Sequence, residues 1–87
     1  MIARKIIYKG NFTKQVVSDI FDITRKIEIT GEVKPLGTQE IVLMLEGDPS
    51  MIKLVQHQIE RKVKPNITGK TVEQIPYQYF NGVTLLS

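Results

Sequence analysis

The chain has 87 residues, of which 41% are hydrophobic and 24% are charged, and its formal net charge is +3. This balance is typical of a globular domain, and the length predicts one domain spanning residues 1–87. The absence of cysteine excludes disulfides, thiol nucleophiles and thiolate metal ligands. Because the chain has one histidine, His57, and scattered carboxylates, we expect neither a metal site nor a cofactor.

The hydropathy pattern predicts a protein that lies outside the membrane. The longest apolar run, Ile41 to Leu45, is far shorter than the roughly 18 residues that span a bilayer. The first ten residues carry basic side chains but no apolar stretch of the kind found in secretory signals. We therefore expect a cytoplasmic location.

The first elements are predicted to be a strand and a helix. Residues 2–8 are apolar and β-prone, and Gly10 and Asn11 interrupt them, so the strand should end near Lys9. An amphipathic helix should follow from about Thr13 to Lys26, with Thr13 as its N-cap. Its apolar residues recur at helical spacing: Val16, Val17, Ile20, Ile23 and Ile27.

A hairpin is predicted next. Residues 28–34 alternate between apolar and polar side chains, as a half-buried strand requires, and the run from Pro35 to Thr38 has the composition of a turn. Residues 40–46 are nearly all apolar, which favours a central strand with a neighbour on each side. The two strands should therefore pair.

The second half of the chain is predicted to repeat the strand and helix pattern. Asp48 and Pro49 form a helix-start signal, and Pro65 should end that helix near Val63 or Lys64. Residues 71–80 should form the last long strand, at a sheet edge because Pro76 cannot donate to a ladder. The tail, residues 81–87, is expected either to add a short strand, to cover a neighbour, or to fray.

The order β-α-β-β-α-β predicts an α+β ferredoxin-like plait, with a four-stranded antiparallel sheet and two helices on one face. Right-handed crossovers place the first and third strands in the centre. Since the third strand is apolar on both faces, we expect an apolar patch on the face without helices, covered by self-association, by a protein partner or by residues 83–86.

The run from Ile29 to Val63 resembles the acylphosphatase family. The family has a Thr-Gly-x-Val-basic-Asn turn, then a strand that ends in glycine and leads into a helix. Thr30-Gly31-Glu32-Val33-Lys34 and the strand from Glu40 to Gly47 correspond to these features. The resemblance covers about two-thirds of the chain, and it implies the acylphosphatase scaffold.

The resemblance also implies where catalytic groups would lie. In the family, a glycine-rich loop after the first strand ends in an arginine that binds phosphate, and an asparagine after the second strand orients water. Here the loop Tyr8–Lys14 carries lysines as its basic residues, and Pro35 stands at the asparagine position. Lysine lacks the planar fork with which arginine grips phosphate oxygens. An enzyme is therefore less expected than a protein without activity.

Two candidate sites follow from the residues. Backbone amides at a helix N-terminus, with hydroxyl and ammonium groups, are suited to a small anion, although an ordinary strand-to-helix turn has the same composition. The residues of this candidate are Lys9, Gly10, Asn11, Thr13 and Lys14. A basic segment, residues 53–70, is suited to phosphate or nucleic acid, or forms a solvated helix face. Its members are Lys53, His57, Arg61, Lys62, Lys64 and Lys70.

Three functions are compatible with the sequence. The first is a non-catalytic interaction or assembly module, forming a homo-oligomer or binding a protein partner. The second is a degenerate acylphosphatase that binds an acyl phosphate through Lys9, Asn11 and Lys14. The third, nucleic-acid binding through residues 53–70, is less expected, since the two central strands contribute one aromatic, Tyr8, for base stacking. No catalytic residue is predicted, because His57 lacks an orienting carboxylate.

Overall fold

The computed structural model describes residues 1–86, and Ser87, the last residue of the tail considered above, lies outside the described residues. A five-stranded sheet carries two α-helices on one face. A single turn of 3-10 helix, Lys64–Asn66, follows the second α-helix. The elements in chain order are β1 Ile2–Gly10, α1 Lys14–Arg25, β2 Thr30–Leu36, β3 Glu40–Gly47, α2 Pro49–Val63, β4 Ile67–Ile75 and β5 Val83–Leu85.

The strand order confirms the predicted plait and adds one strand to it. The order is β4-β1-β3-β2-β5, with β1 and β3 in the centre. The pairs β1–β3, β1–β4 and β2–β3 are antiparallel, whereas β2 and β5 are parallel. Of the three arrangements expected for the tail, the extra strand is the one that forms, and it makes the sheet mixed instead of wholly antiparallel.

The core lies between the helices and alternate residues of the central strands. Ile6 pairs with Leu43 and Leu43 pairs with Val33, and all three side chains are fully buried. Since side chains directly opposite one another share a face of the sheet, this row marks the helix-covered face. The helices bury their apolar stripes against it, namely Ile20 of α1 and Ile52, Val55, Ile59 and Val63 of α2. Among residues 1–86, no helix is long and apolar enough to cross a membrane.

Both helix starts follow the predicted capping chemistry. The Thr13 hydroxyl accepts a hydrogen bond from the Val16 amide at 3.3 Å. The Asp48 carboxylate accepts from both the amide and the hydroxyl of Ser50, at 2.9 and 2.7 Å. These two hydrogen bonds from Ser50 lower the pKa of Asp48. Both caps satisfy amides that the helix itself cannot pair.

The prediction for Pro35 is wrong, because this residue lies inside β2 and the turn spans residues 37–39. The Gly31 amide and the Val33 carbonyl both bond to the side of β2 where β5 lies. Pro35, two residues further along, turns its nitrogen to the same side. The β2–β5 pairing ends at Val33, so the proline interrupts no ladder bond there.

The last long strand also differs from its prediction. β4 begins at Ile67 and ends at Ile75, so it starts before the predicted position and Pro76 lies beyond it. The edge position is confirmed, since β4 pairs with β1 alone. Proline therefore ends the strand instead of lying within it.

The face without helices is less apolar than predicted. Met44 lies in a cross-strand row between Lys5 and Glu32, so charged side chains flank it on both sides. Val42 is 9% exposed and Ile7 is half-buried, which leaves a narrow apolar strip instead of a broad patch. Residues 83–85 do not cover this face, because they pair at the sheet edge as β5. Residues 76–82 cross the sheet where β3 ends, next to Glu46.

Candidate functional site

The loop between β1 and α1 is held by backbone hydrogen bonds from two neighbouring segments. The amides of Gly10 and Phe12 donate to the carbonyls of Gln39 and Thr38, at 3.0 and 2.7 Å. The Asn11 amide donates to the Asn66 carbonyl at 2.9 Å. The loop is thus fixed between the β2–β3 turn and the 3-10 helix.

A close approach in this loop requires glycine. A Cβ atom added at Gly10 would lie 1.8 Å from the carbonyl oxygen of Asn66 and 2.8 Å from its carbon. Both are backbone atoms and cannot rotate away. The Asn66 side-chain amide also donates to the Asn11 carbonyl at 3.0 Å, so the two segments are joined in both directions.

The predicted anion-site residues are only partly brought together. The amides of residues 10–12 donate to carbonyls, and the Thr13 hydroxyl caps α1. Lys9 lines a depression with Glu40 and Thr68, whereas Lys14 lines a separate groove with Phe12 and Pro35. The two lysines therefore line different depressions.

The groove beside Lys14 is apolar. It has a volume of about 520 Å³ and lies between the loop, α1, the end of β2 and β5. Pro35, at the position where the acylphosphatase resemblance implies an asparagine, forms part of its wall. The other lining residues are Phe12, Lys14, Val17, Ser18, Gly37, Thr38, Leu85 and Leu86. We call this the apolar groove.

A second cleft lies between α2 and β4, on the helix-covered side of the sheet. The buried Tyr8 hydroxyl donates to Glu60 at 2.8 Å, and the Lys70 ammonium pairs with the same carboxylate at 2.9 Å. His57, Arg61 and Lys64 also line this depression, whose volume is about 450 Å³. The structure therefore gathers four of the six residues of the predicted basic segment around a tyrosine–glutamate pair.

The environment of this pair shifts the pKa values of Tyr8 and Glu60 in opposite directions. Burial, together with the hydrogen bond to Glu60 and the negative charge of that carboxylate, raises the pKa of Tyr8. For Glu60, burial alone would raise the pKa, but the hydrogen bonds from Lys70 and Tyr8 outweigh it and the pKa is lowered. Glu60 therefore stays ionised and Tyr8 stays protonated near neutral pH.

An adjoining depression of about 370 Å³ extends the cleft along α2. It shares His57 and Glu60 with the first and adds Lys53 and Arg4, whose guanidinium donates to Gln56 at 3.4 Å. We call the two depressions together the basic groove. Lys62, the remaining member of the predicted segment, instead lines a different depression beside Ile23 of α1.

Sequence reasoning missed Arg4 and Glu60 as parts of this cleft, and it missed Glu46. Glu46, at the end of β3, is 1% exposed, and its carboxylate accepts the amides of Gln78, Tyr79 and Phe80. The distances for Tyr79 and Phe80 are 3.1 and 2.8 Å. Tyr79 has φ 60°, a left-handed conformation that lets consecutive amides point at one anion.

No local sequence signal identifies these contacts, because the partners are far apart in the chain. Tyr8 and Glu60 are separated by 52 positions, and Glu46 lies 32 positions before Gln78. Among residues 1–86, no group of three or more histidine or carboxylate side chains could hold a metal ion.

No protein-family model matches the chain, and no curated protein matches its sequence. Solved structures match it strongly. An acylphosphatase from Bacillus subtilis has a TM-score of 0.85 at 13% identity, covering 100% of both chains. An acylphosphatase from Coxiella burnetii has a TM-score of 0.82 at 12% identity, covering 98% of this chain and 92% of that one.

A domain of a larger protein has the same fold. HypF from T. kodakarensis matches with a TM-score of 0.80 at 22% identity, covering 100% of this chain and 12% of that one. Identities this low establish the fold alone. The chain therefore has the acylphosphatase form of the ferredoxin-like fold, including the additional C-terminal strand.

Proposed function

We propose that this chain is a non-catalytic interaction or assembly module built on the acylphosphatase fold. The observation that carries the proposal is the hydrogen bonding of the loop after β1. The amides of Gly10, Asn11 and Phe12 donate to protein carbonyls, so they are directed away from any bound anion. An oxyanion site of this kind depends on amides that are free to donate to the ligand.

The apolar groove supports the same proposal. Pro35, Leu85 and Leu86 line it, and Leu85 is 42% exposed. These three side chains offer no hydrogen-bond donor to a phosphate and no amide to orient water, but they can bury apolar side chains of another protein. The proposed ligand of the groove is therefore a protein surface, on a second copy of this chain or on a different partner.

Hydrolysis of benzoyl phosphate by the purified chain tests the absence of catalysis. We expect phosphate release at the rate of the uncatalysed reaction. Enzyme-dependent release that disappears in Lys14→Ala would contradict the proposal and would support a degenerate acylphosphatase. Lys26→Ala, which removes an exposed lysine at the other end of α1, is the matched control.

The degenerate acylphosphatase remains the second candidate, because Lys14 lines the groove next to Pro35 and the solved neighbours include acylphosphatases. In that case Lys14, with Lys9 and Asn11, would have to bind the acyl phosphate. Because Lys9 and Lys14 line different depressions, they are poorly placed to bind one phosphate together.

Light scattering tests the assembly role. If the groove mediates self-association, Leu85→Glu should dissociate the oligomer, because a carboxylate placed in an apolar contact must be desolvated. Leu54→Glu is the matched control, since Leu54 is 39% exposed on α2 and lies outside the groove. A strict monomer in the wild type would rule out self-association.

A further inference from the structure

One face of α2 carries a regular row of basic side chains, which continues into the 3-10 helix. Lys53, His57, Arg61 and Lys64 follow one another at intervals of four, four and three residues, and all four are exposed. At 3.6 residues per turn the three members in α2, Lys53, His57 and Arg61, fall within an arc of about 80°. They span about 12 Å, with about 6 Å between successive members, and Lys64 follows three residues later in the 3-10 helix.

A second line of cations faces this row across the basic groove. Arg4 of β1 lines the depression that contains Lys53, and Lys70 of β4 lines the depression that contains Arg61 and Lys64. The two depressions share His57 and Glu60, so they form one continuous cleft. Cations therefore border the groove on both its helix side and its sheet side.

Among residues 1–86, the one carboxylate that lines the groove, Glu60, balances only one of its five lysine and arginine side chains, so the groove stays positive. Glu60 already accepts the Tyr8 hydroxyl at 2.8 Å and pairs with Lys70 at 2.9 Å. Within residues 1–86, Lys53, Arg61 and Lys64 form no salt bridge. Their charges are left to act on solvent and on any anion that enters the cleft.

We propose that the basic groove binds the phosphate backbone of a single-stranded nucleic acid, a function beyond the protein-binding role proposed above. Basic side chains one helical turn apart, about 6 Å, match the spacing of successive phosphates along an extended strand. Cations on both walls suit one backbone lying in the cleft better than a broad duplex. The exposed His57 imidazole, in the middle of the row, adds a ring on which a base stacks.

Fluorescence anisotropy with a labelled ten-nucleotide uridine RNA tests this proposal on the full chain. Four phosphates, contacted by Arg4, Lys53, Arg61 and Lys64, predict that log affinity falls against log salt concentration with a slope of about −3. The double variant Arg61→Gln, Lys64→Gln should weaken binding about tenfold or more and make the slope shallower by about 1.4. Both side chains are exposed, so we expect the variant to fold.

The matched control is Lys26→Gln, Lys34→Gln, which removes the same charge from exposed positions outside the groove. We expect it to keep binding within about twofold and to keep the wild-type slope. Equal weakening by both double variants would overturn the proposal, since binding would then follow net charge alone. Three other results would also overturn it: no binding of the RNA, equally tight binding of polyglutamate, or a preference for duplex RNA.

Discussion

Backbone amides at the two ends of the sheet have different hydrogen-bond acceptors. At the end where β1 leads into α1, the amides of Gly10, Asn11 and Phe12 donate to three backbone carbonyls. At the other end, the amides of residues 78–80 donate to one buried carboxylate, that of Glu46. At the second end the amides converge on one anion, and that anion is the chain's own Glu46 side chain.

The loop that the acylphosphatase resemblance links to phosphate binding is closed by uncharged backbone groups. Convergent amides occur instead where residues 76–82 cross the end of the sheet towards β5. There the bound anion is structural, because Glu46 fixes the crossing segment against the end of β3.

The largest expected effect is at Glu46. Glu46→Ala leaves three amides without their acceptor, and we expect the free energy of unfolding to fall by about 3–5 kcal/mol. Glu46→Gln keeps the shape but turns one acceptor into a donor, so we expect a loss of about 1–3 kcal/mol. Urea unfolding measures both variants.

Glu40 provides the control for this comparison. It lies on the same face of β3 as Glu46, at the other end of the strand, and is half-exposed. Glu40→Ala should change the free energy of unfolding by less than about 0.5 kcal/mol. Equal losses for Glu40→Ala and Glu46→Ala would show that the three amides do not depend on Glu46.

At the opposite end, Gly10→Ala tests the closed loop. Because its Cβ would lie 1.8 Å from the Asn66 carbonyl oxygen, the loop and the 3-10 helix must separate. We expect a loss of about 2 kcal/mol in the free energy of unfolding. Gly37→Ala shows the cost of adding a methyl group where there is room for it, since no heavy atom lies within 4 Å of its added Cβ. Its φ of 66° adds backbone strain but no clash. A Gly10→Ala protein as stable as the wild type would contradict the close contact.

A smaller effect is expected at Glu60, a carboxylate held by side chains instead of backbone amides. Tyr8→Phe removes the hydroxyl that donates to it, and we expect a loss of about 1 kcal/mol at neutral pH. Since the pKa of Tyr8 is raised in the folded state, the stabilising contribution of the protonated hydroxyl is present below about pH 10 and is lost above it.

The pH dependence therefore distinguishes this pair from the rest of the molecule. The difference in unfolding free energy between the wild type and Tyr8→Phe should shrink as the pH rises from about 9 to about 11. The lowered pKa of Glu60 has the opposite sign, so its contribution is present above its ordinary pKa of about 4.3 and is lost as the pH falls. A difference that stays constant above pH 10 would mean that the Tyr8 hydroxyl is not buried in this pair.

Local sequence patterns were enough to predict most of the fold. Helical periodicity and the caps at Thr13 and Asp48 gave the two helices, and apolar alternation gave the hairpin. The sequence could not predict that Pro35 lies inside a strand. Proline fits there because its nitrogen is on the β5 side of β2, beyond the residue at which β5 stops pairing. That condition depends on a strand about 50 residues later in the chain.

The same holds for the candidate sites. Residues that share one helix could be grouped from the sequence, whereas residues that act through distant partners could not. The basic row was predictable because most of it lies on α2, whereas Lys62 lies off the row, since the residue after Arg61 turns about 100° around the axis. Arg4, Tyr8 and Glu46 gave no local signal, because each acts through a partner distant in sequence. Contacts of this kind are fixed by topology and not by spacing.

Amide hydrogen exchange at Gly10, Asn11 and Phe12, measured with and without phosphate, reports whether these amides are free to bind an anion. We expect slow exchange at all three, because each donates to a backbone carbonyl, and no change on adding phosphate. Fast exchange that phosphate slows selectively at these three residues would contradict this expectation, since the loop would then be open and would bind the anion itself.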